Sequence, residues 1–194
     1  MITVLKLLFV PMQTWQRISL ARRGVLWILI LQVLPLLLVG LAVESYSLIH
    51  LGEYRSGLAT LIKVRPEDAV RYSAVYLSLL LASVLVTSQV LAWITRSFHV
   101  KTTYTQCFTL MAYGYCPVIL GRFLDAIPKL NSWVCLALGA LGAFVVLYHG
   151  VALSLKPDQT KGFGLYLVSI LLVLFPSAVA NLLAQFVLHG KLLS

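Results

Sequence analysis

Charge is what this chain has least of. Only 11% of its 194 residues are Asp, Glu, Lys or Arg, against 60% hydrophobic residues. Soluble domains carry about 25% charged residues. A water-soluble fold with this balance would expose large apolar patches, so lipid is the expected solvent. Acids are the scarcest of all: six against fifteen Lys and Arg, for a net charge of +9. Cysteine is scarce as well. Cys107, Cys116 and Cys135 are odd in number and scattered, which excludes a disulfide framework. Cys107 and Cys116 fall on one expected helix, about 13 Å apart at a ~1.5 Å rise per residue, too far to bridge. No CxxC, HxxxH or HExxH spacing, no G-x-S-x-G and no P-loop occurs. No metal, cofactor or catalytic constellation is therefore expected. No arginine-rich run carries interleaved aromatics, so nucleic acid is not an expected partner.

What the chain does have is long apolar runs. Five of them approach or exceed the roughly 20 residues that cross a bilayer: about 24–43, 72–94, 102–126, 130–155 and 162–188. Transmembrane strands are about 10 residues long and alternate, so run length points to helices. The expected fold is all-α, a single membrane domain over 1–194 built as a bundle of five transmembrane helices, with 44–71 as an extracytoplasmic loop. Basic residues divide almost evenly between the two sides. Arg17, Arg22 and Arg23, just before the first span, therefore decide the orientation and place the N-terminus in the cytoplasm.

Pro11 to Ala21 reads as a short interfacial amphipathic helix. Pro11 suits a first turn, and Met12, Trp15 and Ile18 recur at spacing three beside the arginines. Trp15, Trp27, Trp93 and Trp133 all fall near span ends, as an interfacial belt would. In "VRPED", Pro66, Glu67 and Asp68 suit the first turn of a helix leading into the second span.

The stretch "MAYGYCPVILGRFLDAIP", residues 111–128, carries the densest chemistry. Tyr113 and Tyr115 fall near mid-membrane, where a phenol needs a partner that lipid does not supply. Pro117 removes an N–H and frees the carbonyl of Tyr113. Gly114, Val118, Gly121 and Asp125 form a mostly small-residue stripe of the kind that packs helices in lipid. Gly139 with Ala143, and Ala180 with Ala184, offer matching stripes. Pro35 and Pro176 lie near the middle of the first and fifth spans. Three kinks at one depth, with Ser83, Thr87, Ser88, Gln89, Ser177 and Asn181 as polar partners, leave two readings open. Either the prolines are satisfied locally, or they border a midplane cavity for a lipid, a quinone-like molecule or an ion. Arg122 and Asp125, three residues apart, are expected to form an intramembrane ion pair, which Glu44 can join.

Together "VPMQTWQRIS", the "YGYCPVIL...IP" of the third span, and "LYHGVALSL" before "KGFGLYLVSIL" resemble the Yip-domain family, the Ypt-interacting-protein type. The resembling segment is Tyr113, Gly114, Tyr115 and Pro117, with Pro128. The resemblance implies five spans and a cytosolic N-terminus. Eukaryotic members of that family are associated with Golgi and ER traffic and with Rab-type GTPases, and carry a substantial polar domain before the first span. Only 23 residues precede it here. The resemblance is thus to the short prokaryotic form, in a plasma membrane, and a GTPase partner is not expected. The expected partners are the lipid bilayer and other membrane proteins or a second copy. The expected role is a non-enzymatic scaffold or partner subunit, with a carrier or channel through a kinked midplane as the alternative.

Overall fold

The structure is a computed structural model that describes residues 2–21, 23–50, 53–54, 61–62, 64–127 and 130–190. Five helices are long and apolar enough to cross a membrane: Val25–His50, Pro66–Ser97, Tyr104–Leu124, Ser132–Leu155 and Thr160–Val187. They are called the first to fifth spans. Two short helices precede them, α1 (Ile2–Phe9) and α2 (Pro11–Ala21).

Local chemistry sets the helix ends. Pro66 opens the second span, with Glu67 and Asp68 in its first turn, where the helix dipole favours acids. Thr103 and Gln106 form a reciprocal capping box at the start of the third span. The Asn131 side chain accepts the Trp133 amide at the start of the fourth. The third span ends by tightening into a 3-10 turn, Arg122–Ala126.

The loop read as 44–71 is shorter than that. The first span runs on to His50 and the second begins at Pro66. The charge of Glu44 does not stop the helix, because its carboxylate is taken up inside the bundle by Arg122. Beyond it, Ser45 bonds Ser73 at 2.6 Å and Ser47 donates to the Ala126 carbonyl at 2.6 Å. Between the two spans, Glu53–Tyr54 and Leu61–Ile62 pair as a short antiparallel β-ladder.

The third span is the hub. Its mean hydropathy, 1.3, is the lowest of the five, against 2.0 to 2.6 for the others. Yet 78% of its apolar window is buried, against 33–44% elsewhere. The least apolar helix is the one lipid touches least, as an environment without hydrogen-bonding groups requires. Outer faces of the other spans expose Trp93, Leu171, Phe175 and Phe186.

Contact between the third and fourth spans is backbone on backbone. A Cβ added at Gly121 would lie 2.6 Å from the Cys135 carbonyl oxygen, and one at Gly139 would lie 2.8 Å from the Val118 Cα. Helices this close gain dispersion contacts that lipid cannot match. Gly142 makes room for the Pro117 ring, 2.9 Å from where its own Cβ would stand.

Trp15 departs from the interfacial reading. It is 0% exposed, and its indole N–H donates to the Val146 carbonyl at 2.9 Å. Gly150 opens the space: a Cβ there would meet the Trp15 ring at 2.6 Å. A buried indole needs a partner for its N–H, and the fourth span offers one. Trp27, Trp93 and Trp133 stay exposed near span ends. Helix α1 buries Val4 and Leu7 in the same core.

Gly139→Ala is expected to lower stability by about 1–3 kcal/mol, since backbone atoms of the third span must move. Gly162→Ala, whose new methyl meets only Pro157 at 3.5 Å, is expected to be neutral or stabilising, because Ala favours the helix. Thermal unfolding of both variants in one detergent checks the contrast.

Candidate functional site

Arg122 stands where the third span tightens, and it is 2% exposed. A guanidinium withdrawn from water must have its charge and its N–H groups satisfied. Here every other span contributes. Glu44 of the first span receives Nη2 at 2.5 Å. Tyr72 of the second donates its hydroxyl proton to that same Glu44 oxygen at 2.6 Å, and its oxygen accepts from Arg122. The guanidinium carbon lies 4.3 Å over the Tyr76 ring, a cation–π contact. Asn181 of the fifth span accepts Nη1 at 2.7 Å, and Ser132 of the fourth accepts it at 3.2 Å. The Ser132 hydroxyl also reaches the Asn181 Oδ1 at 3.2 Å. One cation thus ties all five spans together, on the face of the bundle away from α1 and α2.

Glu44, expected to join the Arg122 site, pairs with the guanidinium across the bundle. Glu44 lies 78 residues away in sequence and holds Arg122 at 2.5 Å. The side chain of Asp125 lies outside the described residues, as does Pro128.

At mid-span the prolines are handled one by one. Pro176 clashes with the carbonyl four residues before it, that of Leu172. The Tyr115 hydroxyl donates to that carbonyl at 3.0 Å. One mid-membrane phenol therefore caps the break made by another helix's proline. Pro35 stands two residues past a widened π turn, Leu29–Val33, which contains the carbonyl of Leu31 that its ring would strike. The Pro117 ring lies against Gly142, and a Cβ on Gly114 would meet Leu147 at 2.7 Å. Ser83, Thr87, Ser88 and Ser177 do not serve neighbouring helices as donors. Each gives its proton to a carbonyl four residues back in its own helix, at 2.5–2.7 Å.

Tyr113 has a different setting. Its ring meets Trp15 edge-on at 5.8 Å and 68°. It is fully buried, and its hydroxyl makes no hydrogen bond among the described residues. All three cysteines are free and buried.

Tyr72, Tyr76 and Ser132 are site residues that sequence reasoning passes over. The signal available was modest: two tyrosines at spacing four, on one helix face, beginning the second span at the depth where Glu44 ends the first.

A family model described as the Yip1 domain matches residues 5–181. Comparison with curated proteins and with solved structures returns no match.

Glu44→Gln and Arg122→Gln are each expected to destabilise by about 3–5 kcal/mol, because each removes one member of a buried, hydrogen-bonded ion pair. The double variant is expected to fall close to either single one. Denaturant unfolding in detergent measures the cycle, and additive losses would show that the pair is not coupled.

Proposed function

The chain belongs to the Yip1-domain family, and from that premise we propose that it is a non-enzymatic scaffold or partner subunit of a membrane assembly. It sits multi-pass in a prokaryotic plasma membrane, with the face bearing α1 and α2 in the cytoplasm. The observation that carries this reading is the enclosure of the third span. Its polar, proline-bearing segment is walled in by the other spans, through backbone contact at Gly121 and Gly139 and through the Arg122 cluster. A third span so enclosed holds one shape and leaves the outer surface to do the work.

That surface offers a partner something definite. Phe163, Leu167, Leu171 and Phe175 are exposed at spacing four along the fifth span, one stripe of a helix. Large side chains at that spacing form a ridge into which a neighbouring membrane helix, or a second copy of this chain, can pack. Carrier activity is the rival reading and needs a cavity passing the three kinks. The cavity described below has neither Pro35, Pro117 nor Pro176 in its lining.

A photoreactive side chain placed at Phe175 tests the proposal in native membranes. It is expected to join one discrete membrane protein or a second copy, while the same probe at buried Leu110 captures neither. In sealed vesicles, Tyr115→Phe is expected to leave solute flux at background. Capture of lipid alone at Phe175, or flux that Tyr115→Phe abolishes, would overturn the scaffold reading.

A further inference from the structure

On the face opposite the Arg122 cluster, a cavity of about 830 Å³ lies between α2, the start of the third span, and the turns that join the second to the third and the fourth to the fifth spans. Pockets that enclose small ligands run from roughly 300 to 1,000 Å³. We infer that this cavity takes the phosphate-bearing headgroup of an anionic phospholipid.

The charge of the wall comes first. Arg23, Lys101 and Lys156 line it, against a single acid, Asp158. Asp158 is already 3.5 Å from the Lys161 ammonium, so the lining is positive. The first turn of the third span also borders the cavity through Thr103, Thr105 and Gln106. A helix N-terminus carries partial positive charge and favours anions.

The floor supplies an independent observation. Tyr113 lines the cavity, is fully buried, and its hydroxyl has no hydrogen-bond partner among the described residues. The Arg23 guanidinium stands near enough to act on that hydroxyl. A buried hydroxyl left unpaired is costly, and a bound phosphodiester oxygen would accept its proton. Tyr113 stands nine residues into the helix, roughly 13 Å at 1.5 Å per residue, deep enough for a headgroup and its glycerol.

Backbone geometry adds to this. Among the described residues, His99 and Lys156, both on the wall, are the two non-glycine residues with positive φ, at 57° and 46°. His99 occupies the left-handed position of a helix-ending turn. Its amide bonds the Arg96 carbonyl, and the Val100 amide bonds that of Thr95. Glycine is the usual residue there. Keeping a histidine and a lysine in such conformations costs stability and is a pattern of functional sites.

The source of the anion follows from the rest of the lining. Ile18, Leu20, Ile28 and Leu153 share the wall with the cations, so it suits an amphiphile better than a soluble ion. Arg23 lies 3.8 Å over the Trp27 ring, and Trp27 is exposed at the span end, where indoles meet headgroups.

The test uses the full chain, purified in detergent and stripped of lipid. Native mass spectrometry and thermal shift follow titration with phosphatidylglycerol, with phosphatidylcholine, and with inorganic phosphate. Phosphatidylglycerol is expected to stay bound and raise Tm, with phosphatidylcholine about tenfold weaker. Arg23→Gln and Lys156→Gly are each expected to weaken phosphatidylglycerol by about tenfold, the size of one lost charge-assisted contact. Tyr113→Phe is expected to weaken it by about threefold. Lys156→Gly suits its backbone, so its lipid-free Tm is not expected to fall, and it decides the matter if Arg23→Gln does not fold. Equal binding of the two lipids, or unchanged binding by Lys156→Gly and Tyr113→Phe, would overturn the inference. Stabilisation by inorganic phosphate equal to that by phosphatidylglycerol would make this a soluble-anion site and overturn the lipid assignment.

Discussion

A guanidinium cannot be left alone in hydrocarbon, and the architecture around Arg122 follows from that. Its charge needs an acid, its N–H groups need acceptors, and its face needs something better than lipid. Glu44, Tyr72, Tyr76, Ser132 and Asn181 answer these needs from four different spans. A buried pair of this kind adds little net stability compared with a well-packed apolar core. Losing one partner is expensive all the same. The cluster therefore acts on uniqueness: other packings of five apolar helices strand the cation.

The third span can carry this polarity because it is wrapped. Glycines at 121 and 139 bring two backbones into contact, and the small separation shuts lipid out. Its tyrosines then have only protein or a cavity to face. Tyr115 turns to a carbonyl that Pro176 has freed on the fifth span. Tyr113 turns the other way, towards Trp15 and the floor of the cavity. The bundle is thus closed by polar bonds at one end and hollow at the other. The cavity there is lined by Arg23, Lys101, Lys156 and a helix N-terminus.

Much of the fold was legible because it depends on run length. A bilayer demands about 20 apolar residues per helix, and five such runs stand in the sequence. Pro66 and its acids mark the start of the second span by chemistry local to the helix. The partner of Arg122 was harder to read. Glu44 could be placed there only by its depth at the end of the first span, because it is distant in sequence and near only after folding. Trp15 shows the same limit. Its position just before a span matched an interfacial ring, but a glycine on the fourth span and the Val146 carbonyl draw it inside.

Composition alone made the solvent lipid, the elements helices and the third span the polar one, since each follows from hydropathy and the cost of unsatisfied groups. Tertiary structure alone decided how Glu44 meets Arg122, which carbonyl meets Tyr115, and that Arg23 borders a cavity. Those outcomes depend on how helices rotate and approach one another. That is governed by contacts between residues far apart in the chain, and no local spacing encodes it.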